Sequence, residues 1–142
     1  MIYLDANIFV FAFLESGNYG QSFRKILGMV EEQKIFASTS ALTIDEVLWV
    51  LSKEIPKNEA ISACKSILNI KGLKILVVDK NTISESLNIV ENYNLKPRDA
   101  IHIAVMKINK IKEILSEDSD FDKIKEIKHY NLNEFMLKLK MN

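Results

Sequence analysis

The chain has 142 residues, 19 basic and 19 acidic side chains and a formal net charge of zero at pH 7. That size suits one domain, 1–142, with one substantial core, and the balanced charge excludes a protein drawn to nucleic acid by a global positive field. Cys64 is the only cysteine, which excludes a disulfide framework and a thiolate metal site, and no apolar run reaches the roughly 18 residues of a membrane span.

Residues 1–4 form a short apolar run ending at Asp5 and read as a buried strand. No basic region precedes them and Asp5 interrupts them, unlike a signal peptide, so a cytoplasmic location is expected. A helix is predicted over 7–14, a break over 15–20 (ESGNYG), an amphipathic helix over 21–33 and a strand over 35–38. Ser40 or Thr43 caps the next predicted helix, which runs to about Lys53. Pro56 marks a boundary, and further elements follow: a helix over 58–70, a strand over 73–78 and a helix over 81–93. Pro97 then opens a helix so apolar that it must be buried. A strand at 113–115, a loop at 116–122, a strand at 128–130 and a helix at 133–140 complete the chain. Strands and helices alternate, which predicts an α/β fold: three α/β/α layers around a mainly parallel sheet. In such a sheet, reactive groups gather beyond the carboxyl ends of the strands.

Four acids stand where acids are costly. Asp5 ends an apolar strand, as a loop-opening structural residue or as a functional carboxylate; Asn7 either fixes its rotamer or caps the helix that follows. Glu46 falls between Leu42, Trp49 and Val50 on what reads as a buried face, and so needs either a salt bridge or a metal ion. Asp99, in the first turn of the apolar helix, either suits the helix dipole or is held at a buried edge. The stretch Ser116 to Asp122 holds four acids, and Phe121 anchors it, so that Asp118 or Asp120 stays at a strand end. Asp5, Glu46, Asp99 and Asp118 together make a hard, all-oxygen set. Such a set suits Mg²⁺ or Mn²⁺ rather than zinc, and such ions can activate water and stabilise a leaving oxygen in phosphodiester cleavage.

In order and spacing, YLDANIF at 3–9, the region from Ser40 to Glu46, PRDAIHIA at 97–104 and SEDSDF at 116–121 resemble the PIN-domain nucleases. The short form is most similar to a VapC-type toxin ribonuclease. The resemblance implies a Rossmann-like sandwich and Mg²⁺- or Mn²⁺-dependent hydrolysis of RNA by a water nucleophile. It implies Asp5, Glu46, Asp99 and Asp118 as the catalytic, metal-holding acids, with Asn7, Ser40, Ser116 and Asp120 in support. Asp120 is close enough to replace Asp118, and Asp122 is peripheral. His102 reads as a satisfied core histidine in preference to a residue behind the acids. Arg98 meets either phosphate or a neighbouring acid.

A homodimer and a small antitoxin partner are further implications, and the bulk of Ile8, Phe9, Phe11 and Phe13 suggests an interface on the first helix. A serine nucleophile elbow and a P-loop are both absent from the sequence. The competing readings are a catalytically silent PIN-like module that binds RNA or protein, and an RNA-processing nuclease that is not a toxin.

Overall fold

The computed structural model describes residues 1–141. Its elements run β1 (Ile2–Leu4), α1 (Ala6–Leu14), α2 (Gly17–Glu31), β2 (Ala37–Ser40), α3 (Ala41–Glu54), α4 (Lys57–Leu68) and β3 (Leu73–Leu76). They continue with α5 (Lys80–Asn92), α6 (Pro97–Ile108), β4 (Glu113–Leu115), a 3-10 turn (Ser119–Lys123), β5 (Lys128–Tyr130) and α7 (Leu132–Met141). The sheet has the order β3-β2-β1-β4-β5, and every pairing is parallel.

Period-two alternation sorts the strand residues between two layers. Ile2 and Leu4 of β1 and Leu115 of β4 face a core completed by Ile8, Phe9, Phe23, Ile26, Val47 and Leu51. Tyr3 and Ile114 face the other way, against Ile103, Ala104, Met106 and Phe121. Helices therefore cover both faces, the expected three-layer α/β/α sandwich. The chain builds outward from β1 through β2 to β3, then returns to place β4 on the other side of β1. This reversal opens a crevice at the carboxyl ends of β1 and β4, the position at which ligands bind in open α/β sheets.

Several local expectations shift. The break after α1 is two residues long, because α2 already begins at Gly17, whose φ of +76° a side chain would resist. Tyr19 then packs edge-on against Phe23 (4.9 Å between centroids) and beside Phe11, which draws the supposed loop into the helix. The second strand starts at Ala37, not residue 35, and contains Ser38, Thr39 and Ser40, all fully buried. Their polarity is accommodated in part by the neighbouring strand: Thr39 Oγ1 lies 2.7 Å from the Leu4 carbonyl.

In α1, Ile8 and Phe9 belong to the chain's own core, and of the bulky residues Phe13 is the most exposed, at 42%. The bulk of this helix is thus largely used inside the chain. In α6, Ala100 and the run from His102 to Met106 are buried, as its composition requires, while Ile108 emerges at the last turn. No helix among the described residues is long and apolar enough to cross a membrane.

Candidate active site

Asp5 follows the last residue of β1, and Ser116 follows the last residue of β4, so the parallel register of Leu4 with Leu115 sets them side by side. The Asp5 carboxylate is buried and well held. Oδ1 accepts from the Ala6 N–H at 2.7 Å, making Asp5 itself the N-cap of α1, and Oδ2 accepts from Ser116 Oγ at 2.6 Å. Asn7 therefore does not cap the helix. Its Nδ2 donates to Asp5 Oδ2 (3.3 Å) and to Ser116 Oγ (3.2 Å), and its Oδ1 accepts from the Glu117 N–H. Ser116 Oγ also accepts from the Asp118 N–H at 3.0 Å, so one hydroxyl ties the loop after β4 to Asp5.

That loop folds tightly. Asp118 caps the 3-10 turn by accepting from the Asp120 N–H (2.9 Å), and Phe121 is fully buried beneath it. Asp118 and Asp120 are thereby brought to Asp99: ligand atoms of the three lie within 4.8 Å of one another, close enough to hold a metal ion together. Asp99 Oδ2 is buried and has no hydrogen-bond partner among the described residues. Burial first, then the negative charges of Asp118 and Asp5, push its pKa from 3.8 up to about 6, with His102 opposing. An under-neutralised carboxylate with a free oxygen, in a set made only of oxygen donors, fits a divalent cation.

Glu46 reaches the site from the second turn of α3, but its surroundings differ from the expected buried face. Trp49 is 58% and Val50 36% exposed, so this side of α3 is only partly covered. Glu46 is half-buried and takes a different partner, His102, whose Nε2 donates to Oε1 at 2.5 Å and lies 3.6 Å from Asp5 Oδ1. His102 Nδ1 is 2.6 Å from the Tyr3 hydroxyl. Burial works against the His102 cation, but Tyr3, the hydrogen bond to Glu46 and the Asp5 and Glu46 charges outweigh it and hold its pKa well above 6.5. The fully buried imidazole is satisfied by Tyr3 and Glu46 with Asp5 close by, which puts it behind the acids, the less favoured of its two readings from the sequence.

The family model of the PIN domain matches residues 2–127. The chain belongs to the PIN-domain family. No curated protein matches it in sequence. Among solved structures it is similar to a toxin-antitoxin complex from Klebsiella pneumoniae, with 20% identity, 89% of this chain and 95% of that one covered, and a TM-score of 0.64. It is also similar to VapBC2 from Rickettsia felis bound to a promoter DNA fragment (19%, 92% and 98%, TM-score 0.69). A third is VapC20 from Mycobacterium tuberculosis, described as a sarcin-ricin loop cleaving toxin (14%, 86% and 93%, TM-score 0.71). At these identities the likeness is one of fold.

In this PIN domain, Asp5, Glu46, Asp99 and Asp118 line one depression, and Asn7 borders it. Asp120 completes the group on the Asp99 side. Ser40 does not line the depression: it is fully buried at the end of β2, makes no capping bond through its side chain, and its Oγ has no partner among the described residues. Of three further participants, Tyr3 and His102 lie inside the motifs read above and His129 lies outside them. His102 was visible as the residue one helical turn after Asp99, on the same face of the helix. Tyr3 was visible only as a tyrosine in a buried strand. His129, whose Nε2 donates to the Ser116 carbonyl at 2.7 Å and whose Nδ1 lies 2.7 Å from Asp122, had no local signal.

The perturbed groups set a pH dependence. A carboxyl whose pKa is raised on folding takes up protons in the window from 3.8 to about 6, so the stability contributed by Asp99 falls as pH rises through it. His102 acts in the same direction, with a contribution present below 6.5 and lost as pH rises through its higher folded value. The paired carboxylates Glu85 and Glu113, whose pKa values are lowered by Lys107 and Lys138, lose stability only at more acidic pH. In EDTA, the thermal midpoint is therefore expected to be higher at about pH 5.5 than at about pH 8. Added Mg²⁺ should raise it mainly at the higher pH; a midpoint in EDTA that climbs with pH would contradict this electrostatic reading.

Proposed function

We propose that this PIN domain is a divalent-metal-dependent endoribonuclease that serves as the toxin of a toxin-antitoxin pair and hydrolyses RNA phosphodiester bonds with water. The observation that carries the reading is the free, buried oxygen of Asp99 beside Asp118 and Asp120. In this reading Asp5, Glu46, Asp99 and Asp118 hold Mg²⁺ or Mn²⁺, and Asp120 is close enough to share the task. When bound, a divalent ion there would supply activation of water for attack on phosphorus and offset charge on the leaving oxygen.

The remaining work belongs to the chain's own groups. Ser116 and the Ala6 N–H fix the Asp5 carboxylate in one orientation, and Asn7 braces both. His102, anchored on Tyr3, orients Glu46 by donating to it. Partners that orient metal-binding carboxylates typically change affinity or activity 10–100-fold when removed. The toxin assignment is supported by the likeness to the Klebsiella complex and to VapC20. The partners proposed are RNA, a small antitoxin protein and a second copy of the chain, in the cytoplasm.

The test is cleavage of a structured RNA in Mg²⁺ by the wild type and by Asp5→Asn, which keeps the helix cap but loses the charge. Cleavage should be lost in the variant and in EDTA. Equal cleavage by both proteins would remove the nuclease reading and leave a silent binding module. Growth arrest on expression, relieved by the product of an adjacent small reading frame, separates a toxin from a processing enzyme; harmless expression would contradict the toxin role.

A further inference from the structure

Glu46, Asp99 and Asp118 lie where two depressions of different chemistry meet. One, of about 320 Å³, is walled by Val10, Phe11 and Val50 in addition to the acids. The other, of about 530 Å³, is bounded by Lys96, Pro97 and Arg98. Both lie within the size range of ligand sites, about 300–1,000 Å³.

Lys96 and Arg98 are exposed, and neither forms an ion pair among the described residues, although three site carboxylates line the same depression. Many surface lysines are likewise unpaired; what sets Lys96 and Arg98 apart is that they line the same depression as Glu46, Asp99 and Asp118. The backbone explains the spacing. Lys96 is extended (φ −65°, ψ 151°) as the N-cap of α6, and Pro97 fixes the first helical position, so the two cations leave the chain on either side of a rigid turn. An RNA strand crossing this site passes a cluster of carboxylates that repels it. Positive side chains beside such a cluster offset that repulsion at the phosphates along the strand.

We propose that Lys96 and Arg98 hold the RNA phosphate adjacent to the scissile one and are substrate-positioning residues for the cleavage, an inference that rests on the ribonuclease reading above. They set the side of the acids on which the flanking backbone lies, away from the apolar wall of Val10, Phe11 and Val50. Arg98 supplies a planar fork and Lys96 a mobile point charge.

The experiment has two arms. In steady-state cleavage with Mg²⁺, Lys96→Ala/Arg98→Ala is expected to raise KM about tenfold with kcat changed by less than about twofold, the signature of weakened uniform binding. In the second arm, a labelled single-stranded RNA is bound to the non-cleaving Asp99→Asn protein, with and without the same two substitutions, over a salt series. The slope of log affinity against log salt should become shallower by roughly 1.4, about 0.7 for each cation withdrawn from the RNA backbone. The control Lys71→Ala/Lys74→Ala removes the same charge at the start of β3, the opposite end of the sheet from the acids, and should change neither quantity.

Unchanged KM and salt slope, a loss of kcat at constant KM, an equal effect of the control pair, or no RNA binding at all would each overturn the proposal. RNA binding with the expected change of slope, but no cleavage by the wild type, would support the role of these two cations while overturning the nuclease reading.

Discussion

Replacing Asp99 by asparagine is expected to abolish metal-dependent RNA cleavage and, in the same protein, to raise the thermal midpoint measured in EDTA at neutral pH. The two effects have one cause. Asp99 carries a buried oxygen without a partner, and its neighbours Asp118 and Asp5 are of like charge. Folding therefore works against its ionised form, and the pKa of about 6 records that opposition. A full shift of this size corresponds to about 3 kcal/mol, and partial exposure reduces the usable share to roughly 1–2 kcal/mol. For a chain of this length such a gain moves the midpoint by a few degrees, roughly 3–8 °C. Asparagine keeps the volume and removes the charge, so the repulsion is relieved while the anionic ligand proposed for the metal ion is lost. A drop in kcat/KM of at least about 100-fold is expected, in line with removal of one preorganised electrostatic group. Melting curves and initial rates on the same preparations check both halves. A variant that is inactive and also destabilised would point to Asp99 as a structural residue instead.

The second large effect is expected at His102. His102→Ala should destabilise the chain by about 3 kcal/mol, because it empties a fully buried site and leaves the Tyr3 hydroxyl and Glu46 without their partner. Activity should fall about 10–100-fold in the fraction that remains folded, since Glu46 is then free to turn away from the site. His102→Gln, which can still donate toward Glu46, should recover part of the activity without recovering the stability. Tyr3→Phe should lower stability by about 1 kcal/mol, one hydrogen bond, with a smaller change in rate. Unfolding by urea and single-turnover cleavage separate the two quantities. If His102→Ala kept full activity, the histidine would be a core residue alone, and its bond to Glu46 would carry no functional weight.

Much of this arrangement was legible in the sequence because its strongest signals are physical ones. Asp5 interrupts an apolar strand, so its place at a sheet end follows from period and polarity. Asp99 follows Pro97 in the first turn of a helix that has no other way to be stable than burial. What the chain does not display is which face of each helix finds a covering layer. Glu46 illustrates this: its neighbours Trp49 and Val50 look like core, yet Trp49 is mostly exposed, with Lys53 Nζ lying 4.4 Å from its ring centroid. The same ignorance of the third dimension hid the bonds of His102, which join residues 56 and 99 positions away.

Polar residues inside a strand were the second blind spot. Thr39 and Ser40, which extend β2 beyond the predicted end at Ser38, carry none of the apolar signal of a buried strand; Thr39 finds partners in the Leu4 carbonyl and the Thr43 hydroxyl, and Ser38 in the Ile2 carbonyl. The distinction between Asp118 and Asp120 was beyond the sequence for a different reason. The 3-10 turn that Asp118 itself caps folds both carboxylates toward Asp99, so the structure keeps both rather than choosing one.

The central claim is that carboxylates from separate segments share a divalent ion. Calorimetric titration of Mn²⁺ into metal-free wild type, Glu46→Gln and Asp118→Asn tests it most directly. Saturable binding by the wild type, weakened at least about tenfold in each variant while both stay folded, is the predicted result. Affinity unchanged by either substitution, or no saturable binding by the wild type, would contradict it.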